Sequence, residues 1–219
     1  MKIKTKSLRV LFLALVVMLA VSVGRLATPV AMAESVVAEI NGITYTNLQE
    51  AVEAAESHSE YNKVVLKSDV TLSDTLLVSG KIVLDLNGKK ISSDTANWAG
   101  GDSLVSVKRG ADLLIIDEAT GGEIYSGDNE DIITTIKMTV AGENDPAYAA
   151  TLKIQGGTVT GYYYGISGNG NRSNTNITVD GATIVGLNAA AIFNPQDGMV
   201  TISGNYETHT TLHKKNHIA

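Results

Sequence analysis

The stretch Leu152–Gly161 reads LKIQGGTVTG, and Ile177–Gly186 reads ITVDGATIVG. Both run apolar, polar, apolar, polar, Gly, small, Thr, apolar, any residue, Gly. Further copies extend the pattern in both directions. Leu84, Leu86, Gly88 and Ile91 align with Leu152, Ile154, Gly156 and Val159, and with Ile177, Val179, Gly181 and Ile184. Val200, Ile202 and Gly204 begin another copy, and Leu114, Ile116, Gly121 and Ile124 fit once Glu118–Thr120 is taken as a corner insertion. The copies start 30, 38, 25 and 23 residues apart. A period in the twenties with variable insertions marks a solenoid.

Physics selects the kind of solenoid. Each copy supplies two or three inward apolar residues, too few to form a core alone, so the copies must stack. Parallel pairing of equivalent strands satisfies the backbone at about 4.8 Å per coil, and the Val, Ile and Thr of the strands suit a pleated, half-buried surface. A leucine-rich repeat would show a tighter consensus, with more leucine and an asparagine in the turn. The expected fold is all-β: a right-handed parallel β-helix of about six coils between Lys63 and Tyr206. Leu86, Ile154, Val179 and Ile202 are expected in one core column. Asp85, Ile115, Lys153, Thr178 and Thr201 are expected in one outward, solvated ladder.

Before the repeats, Ile43 and Tyr45 alternate with polar neighbours as a short strand would. Leu48, Ala51, Val52 and Ala55 then fall at helical spacing, with Thr46 and Gln49 spaced as a capping box. One amphipathic helix in the segment 34–62 would cover the open first coil.

The first 33 residues read differently. Lys2, Lys4, Lys6 and Arg9 precede an apolar run from Val10 to Val23, and Ala31-Met32-Ala33 follows. This is the pattern of a secretory signal cleaved after Ala33. A membrane anchor is the alternative, but fourteen residues fall short of the ~20 that span a bilayer. No integral span is expected after cleavage. The remaining 186 residues carry twelve Lys and Arg against twenty-three Asp and Glu, a formal charge of −11. Such a surface repels nucleic acid and anionic lipid. A strongly anionic polysaccharide is also an awkward partner unless calcium bridges the two. The chain has no cysteine, so stability rests on burial and backbone pairing.

The segments NGITYTNLQEAVEAA, IVLDLNGKKIS and LLIIDEATGGEI, with the GGTVTG repeats, resemble the N-terminal part of secreted bacterial surface proteins with pectate-lyase-like β-helix repeats. The resemblance runs from about Val36 to Gly204. It implies an extracytoplasmic location, secreted or at the cell surface, often with further modules and a wall anchor downstream. It says little about activity, because this fold hosts many.

Catalytic groups are sparse. Hydrolysis of a glycoside needs two or three converging carboxylates. A pectate-type lyase needs carboxylate-held calcium and a basic group that takes the proton. After the signal, arginine occurs only at 109 and 172, and no histidine lies between His58 and His209. The densest acidic spot is SGDNED at 126–131, where Asp128, Glu130 and Asp131 are calcium candidates against a plain solvated corner loop. The aromatic candidates for contact with a sugar or protein are Tyr162, Tyr163 and Tyr164 in GYYYG, and Trp98 in NWAGGD. For the tyrosines core packing or corner filling is the competing reading, and Trp98, in a loop, reads as a lid or as a binding residue.

The repeat loses its match at Asn205, and residues 206–219 form an atypical tail. His209, His213 and His217 are four apart and would align as metal ligands on a helix. A frayed tail, a cap or an early end of the reading frame are the other readings. The expected function is therefore that of a non-enzymatic exported module for adhesion or for glycan or protein contact, with no bound cofactor. The alternative is a polysaccharide lyase or glycoside hydrolase.

Overall fold

The computed structural model describes residues 35–57, 62–139, 149–168, 175–195 and 198–203, and the backbone of 207–210. The signal-like segment 1–33, His213 and His217 lie outside the described residues. Among the described residues no helix is long and apolar enough to cross a membrane.

Strands β1 (Ala38–Ile40) and β2 (Ile43–Tyr45) form an antiparallel hairpin. Its two-residue turn is Asn41-Gly42, with φ of 49° and 85°. Both angles suit the mirror-image turn that Asn-Gly favours. Helix α1 (Leu48–Glu56) buries Leu48, Ala51, Val52 and Ala55, the expected face. Its cap differs from the expected one. Asn47, not Thr46, is the N-cap and accepts from the Glu50 N–H. The Gln49 side chain turns away to the backbone of Leu77.

The remaining described elements are strands. In chain order come β3 (Asn62–Leu66), β4 (Val70–Leu72) and β5 (Leu76–Val78), then β6 (Lys81–Asp85), β7 (Lys90–Ser93) and β8 (Ser103–Lys108). Next are β9 (Asp112–Ile116), β10 (Glu123–Ser126) and β11 (Thr134–Thr139), followed by β12 (Ala150–Ile154), β13 (Thr158–Gly161) and β14 (Tyr164–Gly168). Last are β15 (Thr175–Asp180), β16 (Thr183–Gly186), β17 (Ile192–Phe193), β18 (Gly198–Ser203) and β19 (Glu207–Thr210). From β3 onward every third strand joins the same sheet. Sheet A holds β3, β6, β9, β12, β15 and β18, edged by β1 and β2; sheet B holds β4 to β19, and sheet C holds β5 to β17. Within each sheet these strands pair in parallel with the next of their kind. The protein is thus all-β, with three parallel sheets stacked in chain order and one described helix, an arrangement compatible with a β-helix.

The register corrects two alignments. Val64, Leu84, Ile115, Ile154, Val179 and Ile202 occupy one line of sheet A. Leu84, not Leu86, is therefore the partner level with Ile154. Ile115 points inward and is fully buried, while Leu114 takes the outward place beside Lys153. The expected outward ladder holds for Lys153, Thr178 and Thr201, but Ile115 and Asp85 leave it. The cause is corner length. Ile91, Ile124, Val159 and Ile184 are level in sheet B as expected. The corners leading to Ile91 and Ile124 are longer than the later ones and absorb the difference. Leu86 then lies beyond its strand and fills the corner above. A Cβ on Gly157 would lie 2.8 Å from Leu86 Cδ1, and the Gly157 φ of 76° disfavours any side chain.

Four tail residues have a described backbone. Glu207–Thr210 adds a parallel strand beside β16, with His209 level with Val185. The backbone at His209 is extended, so no helix holds it, and His213 and His217 lie outside the described residues. Thr-rich sequence supports a strand here because β-branched residues favour extended backbone.

Candidate functional site

The outer face of sheet C gathers the side chains best suited to hold a partner. Val105, Val107, Ile136, Met138 and Ile166 point into the core and are fully buried. Leu77, Ser106, Lys137, Ser167 and Phe193 are level with one another across β5, β8, β11, β14 and β17. A second line runs Ser103, Thr134, Tyr164. Pairing passes over Leu104, Thr135 and Gly165, where two successive residues turn inward: Leu104 and Val105, like Thr135 and Ile136, are all fully buried. Thr135 links hydroxyls with Ser126 at 2.8 Å and donates to the Thr160 carbonyl at 2.9 Å, tying sheet C to sheet B.

On the side of the sheet away from the core the hydroxyls of Thr134 and Ser167 hydrogen-bond at 2.6 Å, and both residues, like Ser106, are buried. The hydroxyls of Ser106 and Thr139 pair in the same way. Lys137 forms an ion pair with Asp102 from the loop before β8. Two depressions flank this pair. One, about 380 Å³, is bounded by Ile133, Thr134, Tyr164, Ser167 and Phe193. The other, about 300 Å³, is bounded by Thr75, Leu77, Ser106, Lys108 and Thr139. Asp102 and Lys137 line both. The Tyr164 and Phe193 rings stack at 5.0 Å with an 18° interplanar angle, and Phe193 is 45% exposed. The arrangement offers an apolar ring surface and one cation with its counterion, above hydroxyls that are buried and bonded to one another.

The candidates read from sequence separate. Tyr164 lies on this face. Tyr162 and Tyr163 occupy the corner before β14, edge to face at 4.8 Å, with the Tyr162 carbonyl accepting from Asn188. Trp98 is half-buried in the loop after β7. Its Nε1–H donates to the Gly101 carbonyl at 3.0 Å, and a Cβ on Gly100 would lie 2.4 Å from the ring. Trp98 therefore shapes the loop that delivers Asp102. Asp128, Glu130 and Asp131 are exposed. Among the described residues no three His, Cys, Asp or Glu side chains are grouped to hold a metal ion, so these three carboxylates are not brought together. Sequence reasoning missed Ser106, Lys137, Ser167 and Phe193 because only two of the three strands in each copy were aligned. The signal was the short apolar run after each TVTG-like segment, GIS in one copy and AIF in the next.

A second charged cluster lies at the corner of sheet A. Asp85 is 1% exposed, and Lys63 Nζ lies 2.8 Å from Asp85 Oδ2 and 2.7 Å from Glu118. The N–H groups of Asn87 and Glu118 donate to Asp85 Oδ1. Burial disfavours the charge on Asp85, but the hydrogen bonds from Lys63, Glu118 and Asn87 outweigh it and hold the carboxyl below its ordinary value. Burial likewise opposes the Lys63 charge, and hydrogen bonds to Asp85 and Glu118 override it and raise the ammonium above its ordinary value. Asp117 closes the corner by accepting from the N–H groups of Gly88 and Gly122, each at 2.7 Å. Every oxygen of Asp85 and Asp117 is engaged in holding the corner, so this cluster is structural.

Comparison with models of protein families, with curated proteins and with solved structures finds no match to this chain.

Proposed function

We propose that this chain is a right-handed parallel β-helix of about six coils, a module of an exported bacterial surface protein of pectate-lyase-like type. It binds a glycan through the outer face of sheet C and does no chemistry on it. The observation that carries this reading is the Tyr164–Phe193 stack, with Phe193 exposed, beside the Lys137–Asp102 pair. Sugar rings present C–H faces that suit aromatic surface and hydroxyls that bond charged groups such as Lys137 and Asp102, the mixture that concave binding sites supply. The charge of −11 on the chain after Ala33 favours neutral over polyanionic glycans.

A glycan array probed with the full chain tests the reading. Binding is expected, and Phe193→Ala should weaken it by about tenfold, the loss typical of one contact residue worth over 1 kcal/mol. No glycan bound, or binding indifferent to Phe193, would contradict it. Incubation with pectic and host glycans, with and without calcium, is expected to leave them intact. Unsaturated or reducing-end products would establish the rival, a lyase or hydrolase. Export belongs to the same proposal: protein recovered from the medium should begin at Glu34, and recovery only with Met1 at its start would refute cleavage.

A further inference from the structure

Each of the three sheets has a first edge, and the chain treats them differently. In sheet A, β1 pairs along β3, with the Lys67 N–H donating to the Val37 carbonyl at 2.9 Å. In sheet C, side chains of α1 take the place of a strand. The Gln49 amide accepts from the Leu77 N–H at 2.8 Å and donates to the Leu77 carbonyl at 3.2 Å, and Glu56 accepts from the Ser79 N–H. In sheet B, β4 is the terminal strand. The Leu72 carbonyl accepts from the Asp94 N–H on the β7 side. Successive residues of a strand paired in parallel present their backbone groups to opposite edges, so the N–H and C=O of Thr71 face outward from the sheet edge. A groove of about 580 Å³ runs along this edge from Asp69 to Leu77, opposite Val37 and the start of α1. Val37 and Leu72 contribute partly exposed apolar surface, Leu48 and Leu76 being almost wholly buried, Glu53, Asp69 and Asp74 contribute carboxylates, and among the described residues no Lys, Arg or His lines it.

We infer that the β4 edge is a docking site for an extended peptide segment in which apolar and basic residues alternate. The peptide adds a strand to sheet B. Its backbone pairs with Thr71, one set of side chains lies on Val37 and Leu72, and the basic set faces the three carboxylates. Main-chain pairing provides the affinity of such strand addition, and alternate side chains provide the selectivity. The groove meets the sheet C depression at Asp74, Thr75 and Leu77, which line both, but the strand pairing at Thr71 belongs to sheet B alone.

The test titrates the full chain with a labelled peptide of alternating valine and lysine, followed by fluorescence anisotropy. Controls are a valine–glutamate peptide and a valine–lysine peptide interrupted by proline. Thr71→Pro removes one outward N–H at an edge position where proline is tolerated. It should weaken binding about tenfold, the effect of losing one or two hydrogen bonds, with an unchanged circular dichroism spectrum. If that variant misfolds, hydrogen exchange in the unaltered chain decides: the Thr71 amide should exchange more slowly with peptide bound. The inference is overturned by no binding, by equal binding of a control peptide, by full binding to a folded Thr71→Pro chain, or by an unprotected Thr71 amide.

Discussion

Ile154 and Lys153 are neighbours in the chain and opposites in environment. Ile154 is fully buried between Ile115 and Val179, while Lys153 lies outward between Leu114 and Thr178. Ile154→Asp places an unpaired charge in the core and should cost several kcal/mol. Lys153→Asp should change stability by less than about 0.5 kcal/mol. Urea denaturation of both variants checks the register, and equal losses would break it. The Asp85 corner carries a second residue-level consequence. A carboxyl held below its ordinary value contributes stability that is present above the unfolded value of 3.8 and lost as pH falls through the lower folded value. Lys63, raised above 10.5, contributes stability that is present below that value and lost as pH rises through the higher folded one. The pair is therefore fully effective across the neutral range. Asp85→Asn should cost about 1–3 kcal/mol at neutral pH and flatten the loss of stability below about pH 4. Urea midpoints measured against pH would show it, and an unaltered acid limb would remove Asp85 from the account.

At the scale of elements, the two ends of the sheets differ. Helix α1 covers the first end with its apolar face and with Gln49 and Glu56. At the other end β18 is exposed at all six positions, although Val200 and Ile202 are level with the buried Ile177 and Val179. Strand β19 pairs along β16, so truncation after Ser203 removes a strand from sheet B. The melting temperature should fall by several degrees, since about 1 kcal/mol corresponds to roughly 2–4 °C at this size. An unchanged melting temperature would show that Glu207–Thr210 contributes no pairing. Much of this layout was legible beforehand. The buried face of α1 followed from spacing, and the level of Ile91, Ile124, Val159 and Ile184 followed from the repeat. The Leu86 and Leu114 placements did not, because a corner can absorb residues without any mark in the strand pattern. A one-residue slip exchanges inside for outside, and the apolar run LLII at 113–116 satisfies either choice.

At the scale of the molecule, the faces of the stack differ in what they can do. The corner of sheet A is closed by carboxylates bound to backbone N–H groups. On sheet B, Lys90 pairs with Glu123 at 2.9 Å and lies 3.7 Å from the Tyr125 ring centre, so its charge is already engaged. Sheet C combines two depressions with exposed aromatic surface. Of this face only Tyr164 was legible in the sequence. Ser106, Lys137, Ser167 and Phe193 lie up to 87 positions apart in the chain, and only the stacking register makes them neighbours. The most direct measurement is amide chemical-shift mapping of the isotope-labelled chain, titrated with the glycan that binds most tightly on the array. The largest shifts are predicted at Ser106, Lys137, Tyr164, Ser167 and Phe193, with Glu123, Thr158 and Thr183 on sheet B unmoved. Shifts concentrated on another face, or no shifts at saturating glycan, would contradict the assignment of sheet C as the contact surface.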